Sequence, residues 1–301
     1  MASLCAFIAL GTELGDHQVQ QVQGTTAQHV IKSGGVTRAY RMSVPAALAN
    51  VHAIPLIFAF HGHTQTADQM AADTGFDRLP AIIVYPQGVS DTLPSRSTPW
   101  ESAPYASTNV GEKDSRLVRD ILAEVTREYP VDRSRIYAAG MSNGGGFAAK
   151  LGCTMPDVFA AIAPVSGAYY HDAHQTRPGG CKPIPTSVME IHGTNDGVMD
   201  YRGKTLNTKH GPYISARELI AEFARRGSCR LAPPPVFDQA PEFDGARQFT
   251  WTGCIPGIEV VHYGVPGGVH SWPGLRTSGS AIAQRFPASD LIWDFFLRHH
   301  K

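Results

Sequence analysis

The sequence has few charged residues and no excess charge of either sign. Only 17% of its 301 residues are Asp, Glu, Lys or Arg, and 26 basic residues balance 26 acidic ones. Proteins that bind nucleic acid or an anionic membrane surface depend on clustered basic charge. The balance therefore predicts no nucleic-acid and no membrane partner, and it favours an uncharged or polymer-linked substrate.

The sequence also lacks a long apolar run. No segment approaches the roughly 20 apolar residues that a membrane-spanning helix needs. Residues 4–10 are apolar but have no basic residue before them, which leaves two interpretations: a remnant of a secretory leader or a disordered lead-in. We therefore predict a leader remnant or disordered linker over residues 1–23 and one folded domain over residues 24–301.

Cysteine is scarce, and its spacing is unlike that of a metal site. None of the five cysteines has the C-x₂-C spacing that structural zinc sites use, so we predict no metal. Cys5 is left over, and the other four cysteines allow three pairings. Short sequence separation favours Cys153–Cys181 and Cys229–Cys254, which would indicate an oxidising compartment. Four buried free thiols are the alternative.

The sequence does contain short apolar runs that alternate with amphipathic segments. The runs at 56–60 and 81–85 are typical of strands buried on both faces of a parallel sheet, and residues 117–125 repeat apolar side chains at helical spacing. The remaining predicted elements are a hairpin over 30–44, strands at 135–139, 160–165, 187–191 and 258–263, and helices at 214–226 and 289–299. This alternation predicts a single α/β domain with a mostly parallel, doubly wound sheet. The Pro-rich segment 231–249 is expected to be irregular.

The motif Gly140-Met-Ser-Asn-Gly144 lies between a predicted strand and a predicted helix. This context is typical of the nucleophile elbow of the α/β-hydrolase fold, where a sharp turn exposes a serine hydroxyl above the sheet. Glycines on either side remove Cβ atoms that would collide where strand and helix nearly touch. We therefore predict that Ser142 is a nucleophile; an ordinary serine in a glycine-rich turn is the alternative.

A serine hydroxyl needs a base to take its proton, and the base needs an acid to orient it. Asp196 follows the predicted strand 187–191, where the acid of this fold belongs. Asp200 is the alternative candidate for the acid, and the alternative role for either residue is to cap the following turn. His270 follows the last predicted strand in a glycine-rich loop and is the predicted base. His192 is expected to support the hydrogen bonding of the acid's loop.

The oxyanion of a tetrahedral intermediate needs two preorganised donors. One is expected from the backbone N–H of Asn143, directly after the nucleophile. The other is expected from the loop after the first buried strand, at His63 or, as the alternative, at Thr64. His61 and His63 also suggest a metal site, but no third ligand accompanies them, and the predicted chemistry requires no cofactor.

These motifs make the sequence similar to an esterase family that includes feruloyl esterases and polyhydroxybutyrate depolymerase-like enzymes, in particular the first carbohydrate-esterase family. The resemblance runs from about residue 26 to residue 300. It is carried by Phe60-His-Gly-His-Thr-Gln-Thr-Ala67, Tyr85-Pro-Gln-Gly88, residues 131–147 around the serine, residues 159–167, His192-Gly-Thr-Asn-Asp196 and His270-Ser-Trp-Pro-Gly274. The helix start at 147–151 and Ala168-Tyr-Tyr170 most resemble the feruloyl esterase branch.

The resemblance implies an α/β-hydrolase fold and the catalytic triad Ser142, Asp196 and His270. It also implies disulfides at 153–181 and 229–254, and secretion. Many relatives carry cysteine where this chain has His63, so the surroundings of the oxyanion loop are expected to differ, although a backbone N–H serves in either case. We take a monomer as the default oligomeric state.

The predicted activity is hydrolysis of a carboxylic ester, with a feruloyl or other hydroxycinnamoyl ester of plant cell walls as the preferred substrate. Trp272 and Trp100 are predicted as aromatic walls for the acyl group, with core packing as the alternative for both, and Thr64 as a further substrate contact. Polyhydroxybutyrate or other polyester, short-chain esters and acetylxylan are alternative substrates. A peptidase with the same triad and a non-catalytic binding protein are alternatives from other classes.

Overall fold

The computed structural model of the chain describes residues 25–48, 51–89, 98–106, 112–170, 181–206, 211–232 and 237–301. The predicted leader or linker, residues 1–23, lies outside these ranges, as does Cys5. The described residues form one ten-stranded sheet with helices packed on both faces. This is the single-domain α/β-hydrolase architecture that the sequence predicts. No helix in these ranges is long and apolar enough to cross a membrane.

The sheet is parallel in its centre and antiparallel at its edges. Its strands are β1 (Thr25–Ser33), β2 (Val36–Val44), β3 (Ile54–Phe60), β4 (Ile82–Pro86), β5 (Val131–Met141), β6 (Ala161–Val165), β7 (Ser187–Gly193), β8 (Glu242–Phe243), β9 (Ala246–Trp251) and β10 (Val260–Val265). Their spatial order is β1-β2-β4-β3-β5-β6-β7-β10-β9-β8, and the pairs from β4 to β10 are parallel. Strands β3, β4, β6, β7 and β10 are buried along their whole length, as expected for strands covered on both faces.

Six helices cover the sheet in the part of the chain that the structure describes. They are α1 (Ala67–Thr74), α2 (Lys113–Glu128), α3 (Asn143–Thr154), α4 (Ala216–Arg226), α5 (Ala281–Arg285) and α6 (Ala288–Leu297). Helices α2, α3 and α4 contribute to the apolar core on one face, and α1, α5 and α6 contribute to the core on the other. The loops that follow the parallel strands lie at the carboxyl edge of the sheet, which is where ligands bind in open α/β folds.

The segment 231–249 was expected to be irregular, and this prediction is wrong for its described end. Strands β8 and β9 form a hairpin there, and β9 continues the sheet beyond β10. Their turn residues Asp244 and Gly245 both have positive φ, which is the conformation that an Asp-Gly hairpin turn favours. Helices α1 and α5 were not predicted, because each is too short to show a clear apolar period.

Two disulfides join Cys153 to Cys181 and Cys229 to Cys254. The first ties the end of α3 to the segment before β7. The second ties the turn after α4 to the loop after β9. Both lie on the side of the sheet covered by α3 and α4, so they brace that layer rather than the active-site edge.

Candidate active site

Ser142 occupies the sharp turn between β5 and α3. Its φ and ψ are 57° and −121°, a combination that residues with a Cβ rarely adopt. Backbone hydrogen bonds hold this conformation: the Ser142 N–H donates to Val165 O at 2.9 Å, and the Ser142 carbonyl accepts from Gly146 and Ala168 at 3.0 and 2.9 Å. The strained turn is thus supported by β6 and by the segment that follows β6.

Gly140 and Gly144 are required by the close approach of backbone segments. A Cβ on Gly144 would lie 2.2 Å from the carbonyl oxygen of Phe60 at the end of β3. A Cβ on Gly140 would lie 2.3 Å from the carbonyl oxygen of Gly144. A side chain at either position would push α3 away from the sheet, so the glycine spacing is a packing requirement of the turn.

His270 lies between the serine and the aspartate. Its Nε2 is 2.8 Å from Ser142 Oγ, and its Nδ1 is 2.7 Å from Asp196 Oδ2. The other carboxylate oxygen of Asp196 accepts the backbone N–H groups of Val198 and Met199 at 2.9 and 2.8 Å. The carboxylate is therefore fixed on both sides and can hold the imidazole in the tautomer whose Nε2 accepts a proton from the serine.

The two candidate acids have different surroundings. Burial alone raises the pKa of Asp196, but hydrogen bonds from His192 and His270 and their positive charge outweigh burial and hold the pKa well below its usual range. Asp196 is consequently ionised at neutral pH. Asp200 is exposed, and its carboxylate accepts the backbone N–H of Arg202 at 2.9 Å, which is the turn-capping role that the sequence offered as an alternative.

The loops that carry the acid and the base are joined directly. Asn195 donates its backbone N–H to Gly268 O at 2.9 Å, and Gly267 donates its N–H to Thr194 Oγ1 at 3.0 Å. A Cβ on Gly193 would lie 2.3 Å from Gly268 O, so the two loops meet backbone to backbone. This contact fixes the position of the imidazole relative to the carboxylate.

The segment after β3 turns back against the serine. A Cβ on Gly62 would lie 3.3 Å from the Cβ of Ser142, while the Gly62 N–H donates to Gln65 Oε1 at 2.8 Å. His63 follows directly. Asn143 is the first residue of α3, where helical N–H groups and the helix dipole favour negative charge. The predicted donors, Asn143 and His63, therefore belong to two segments that meet at the serine.

His61 is a structural residue of this segment. Its Nε2 accepts the backbone N–H of Gly88 at 2.9 Å, and its Nδ1 is 2.8 Å from Gly62 O. Burial lowers the pKa of His61 to about 4, so the ring is neutral. Across the described ranges, no cluster of three or more His, Cys, Asp or Glu side chains is arranged to hold a metal ion.

Trp100 does not line a substrate pocket, and the prediction that it does is wrong. The side chain is fully buried, and its indole N–H donates to His61 O at 2.8 Å. Its ring stacks on Phe147 with 5.4 Å between centroids, and its backbone N–H donates to Asn143 Oδ1 at 2.6 Å. Trp100 therefore joins the segment after β3, at His61, to the start of α3, at Asn143.

Trp272 is also wrongly predicted as a substrate contact. Only 1% of the residue is exposed, its N–H donates to Ser289 Oγ at 2.9 Å, and its ring packs edge-on against Phe76. Because the chain turns inward directly after His270, the indole enters the core beside α6 and anchors the His270 loop. Thr64, the third predicted contact, is exposed and has a φ of 69°.

Sequence reasoning missed a row of aromatic rings beside the serine. The His63 ring packs on Tyr105 with 5.0 Å between centroids, Tyr105 on Tyr170 at 6.1 Å, and Tyr170 on Tyr213 at 6.2 Å. We call Tyr105, Tyr170 and Tyr213 the tyrosine cluster; it also contacts Met199 of the acid loop. Each tyrosine lies outside the main strands and helices, so no sequence period links them.

Comparisons with known proteins identify an esterase family. A family model described as esterase PHB depolymerase matches residues 38–179, which include the turn at Ser142. A putative esterase, NocK, from Nocardia uniformis subsp. tsuyamanensis is 30% identical over 270 residues, covering 83% of this chain and 74% of the relative. The chain belongs to the esterase PHB depolymerase family. As a member of this family it is a carboxylic ester hydrolase.

One further relative by sequence and one solved structure are also similar to the chain. A probable feruloyl esterase C from Aspergillus clavatus is 26% identical over 265 residues, covering 86% of this chain and 83% of the relative. The structure of an acetyl xylan esterase from Aspergillus awamori superposes with a TM-score of 0.59 at 15% identity, covering 90% of this chain and 99% of that one. At this identity the superposition shows the shared α/β-hydrolase fold.

Proposed function

We propose that the protein is a feruloyl esterase that cleaves hydroxycinnamoyl esters of plant cell walls through a serine acyl-enzyme. The observation that carries this proposal is the continuous hydrogen-bond series from Ser142 Oγ through the His270 imidazole to Asp196 Oδ2, at 2.8 and 2.7 Å. The similarity to a probable feruloyl esterase supports the choice of substrate.

In the acylation step, Ser142 Oγ attacks the ester carbonyl while His270 Nε2 takes the hydroxyl proton. Asp196, ionised and buried, stabilises the imidazolium that forms. The backbone N–H groups of Asn143 and His63 are the proposed donors to the oxyanion. The imidazolium then donates its proton to the alcohol oxygen as the C–O bond breaks, which leaves the acyl group on the serine.

Deacylation repeats these steps with water. His270 Nε2 removes a proton from a water molecule that attacks the acyl carbonyl, and the second tetrahedral intermediate collapses with return of that proton to Ser142 Oγ. The carboxylic acid leaves. Each proton is carried by the same imidazole, so the reaction needs no cofactor.

The tyrosine cluster is the proposed wall for the acyl group. Tyr105 packs on His63, whose backbone N–H is a proposed oxyanion donor, and both side chains are partly exposed. Tyr170 lies two residues after Ala168, whose backbone N–H donates to the Ser142 carbonyl. Tyr105 is thus the ring that can face the acyl group, and the buried rings of Tyr170 and Tyr213 pack behind it. A planar hydroxycinnamoyl ring gains about 0.5–1.5 kcal/mol from stacking or edge-on contact with another aromatic ring, beyond the burial of its area.

Secretion or another extracytoplasmic location is part of the proposal. The two disulfides support it, because disulfides persist in oxidising compartments and are rare in the cytosol.

A substrate panel tests the function. The wild-type enzyme should hydrolyse methyl ferulate with a higher kcat/KM than an aliphatic methyl ester of similar size, and Ser142→Ala should lose turnover by several orders of magnitude while remaining folded. Turnover by Ser142→Ala within tenfold of the wild type would overturn the assignment of the nucleophile. Peptide substrates in the same panel should not be cleaved.

A pair of variants tests the acyl wall. Tyr105→Ala should lower kcat/KM on methyl ferulate by about tenfold and on the aliphatic ester by less than about threefold, since only the aromatic substrate loses a ring contact. Tyr105→Phe keeps the ring and should retain the preference for ferulate. Equal losses on both esters in Tyr105→Ala would place the acyl group elsewhere.

A polyhydroxybutyrate depolymerase-like activity is the second candidate, because the matching family model carries that description. Wild-type preference for hydroxybutyrate oligomers over methyl ferulate and acetylated xylan would select it.

A further inference from the structure

His192 lies directly behind the acid of the proposed triad, with 1% of the residue exposed. Its Nε2 is 2.9 Å from Met199 O and 3.3 Å from Asp196 Oδ2, and its Nδ1 is 3.0 Å from Glu190 Oε1. These partners are a carbonyl oxygen and two carboxylates. Because ionised carboxylates and carbonyls only accept hydrogen bonds, the ring needs a proton on both nitrogens to satisfy them.

Glu190 is fully buried and receives several donors. Its Oε1 accepts the Tyr169 O–H at 2.7 Å, and its Oε2 is 2.5 Å from His262 Nδ1. Burial alone raises the pKa of Glu190, but His262 and His192 outweigh burial and lower the pKa to about 2. His262 Nε2 faces the Tyr201 O–H at 2.8 Å, which is able to donate.

The charge on His192 is consistent with its surroundings. Burial alone lowers the pKa of His192, but the hydrogen bonds to Asp196 and Glu190 and their negative charges outweigh burial and raise the pKa to about 10. The ring is thus a cation between two buried anions. The titratable groups that face His192, directly or through Glu190, are Glu190, Asp196, Tyr169, Tyr201, His262 and His270.

We propose that His192 is a permanently charged imidazolium and a positioning residue that shares Asp196 with His270 and thereby lowers the affinity of His270 for a proton. This inference rests on the proposed function. His192 Nε2 and His270 Nδ1 lie within about 6 Å of each other, since they approach the same oxygen at 3.3 and 2.7 Å. At this separation the charge on His192 opposes a second positive charge on His270.

The variant His192→Gln tests the charge separately from the hydrogen bond. Its amide can donate to Met199 O and Asp196 as Nε2 does, but it carries no charge. The acid limb of kcat/KM for p-nitrophenyl acetate, which reports protonation of the free enzyme's base, should move up by about one pH unit. The plateau should change by less than about fivefold. An acid limb that stays in place or moves down would overturn the proposal.

His262→Asn is the matched control. It removes the other imidazole bound to Glu190 and leaves an amide donor near the position of Nδ1, but it changes none of the groups that contact Asp196. The acid limb should therefore stay where it is in the wild type. A shift as large as that of His192→Gln would overturn the proposal, because it would show that loosening of the network, and not charge, moves the limb.

A spectroscopic measurement decides the charge without turnover. In ¹⁵N-histidine-labelled wild-type protein at pH 8, both ring nitrogens of His192 should carry slowly exchanging protons. The signal is assigned through contacts with Met199, whose carbonyl oxygen lies 2.9 Å from His192 Nε2, so it does not depend on a variant that folds. An unprotonated nitrogen on His192 would overturn the inference. Because the spectrum is recorded without substrate, it reports the charge of His192 even if the protein hydrolyses no ester. Ser142→Ala should give the same spectrum for His192.

Discussion

Asp196→Asn should preserve the shape of the active site while reversing one hydrogen bond. The Oδ1 atom of Asp196 accepts the N–H groups of Val198 and Met199 at 2.9 and 2.8 Å. In the variant, the amide oxygen must take this place, because an NH₂ group there would face two donors. The NH₂ group then points at His270 Nδ1, which lies 2.7 Å from Oδ2 in the wild type.

The reversed bond changes the tautomer of the base. An amide N–H that donates to Nδ1 requires this nitrogen to be unprotonated, so the imidazole proton moves to Nε2. His270 Nε2 is then a donor and no longer accepts the proton of Ser142, 2.8 Å away. The same change in a serine protease costs about 10⁴ in kcat, which corresponds to about 5 kcal/mol of transition-state stabilisation. We expect a loss of this order here.

The assay compares kcat for p-nitrophenyl acetate and methyl ferulate in wild type, Asp196→Asn and Asp200→Asn, with thermal unfolding to check the fold. Asp200→Asn is the control, because this exposed carboxylate only accepts the Arg202 N–H and should keep activity within about twofold. Retention of more than a tenth of the wild-type kcat by Asp196→Asn, or a larger loss in Asp200→Asn, would refute the reasoning.

Four further predictions concern packing, disulfides and charge. Gly144→Ala should cost about 3 kcal/mol or more in urea unfolding, since its Cβ meets backbone at 2.2 Å, whereas Gly197→Ala points into open space and should be nearly neutral; similar costs would contradict this. Trp272→Ala should lower the free energy of unfolding by about 3–5 kcal/mol and lower kcat/KM equally on ferulate and aliphatic esters. A selective loss on ferulate would instead show that Trp272 contacts the substrate. Non-reducing peptide maps should contain both disulfides, each stabilising by about 2–4 kcal/mol, and four titratable thiols would oppose this. The wild type should have a higher free energy of unfolding than His192→Gln, and this difference should be complete below about pH 6.5 and decline as the pH rises towards 10. The reason is that the folded state retains a proton on His192 that the unfolded chain releases in this range. A difference that does not change with pH would contradict a charged His192.

Several features of the fold were predictable because their causes are local. The central strands appear as continuous apolar runs, since both faces of a parallel sheet are covered. The positions of Gly140, Ser142 and Gly144 follow from one sharp turn, where a Cβ on either glycine would lie only 2.2–2.3 Å from a backbone oxygen. Asp196 and His270 each follow a strand of the same sheet. Because parallel strands end at one edge, the order of these residues along the chain was enough to predict that they meet.

The sequence by itself determined the central strands, the glycine spacing and the three residues of the hydrogen-bond series, Ser142, His270 and Asp196. The tertiary structure alone decided the direction of aromatic and charged side chains that do not follow the apolar periodicity of the strands and helices. Trp272 stands two residues from His270, yet the chain turns inward between them and the indole is buried. The rings of the tyrosine cluster, which lie in loops, have partners far away in the sequence. Loop residues have no period of two or 3.6 to assign them a face, so their direction depends on long-range packing that the sequence pattern does not encode.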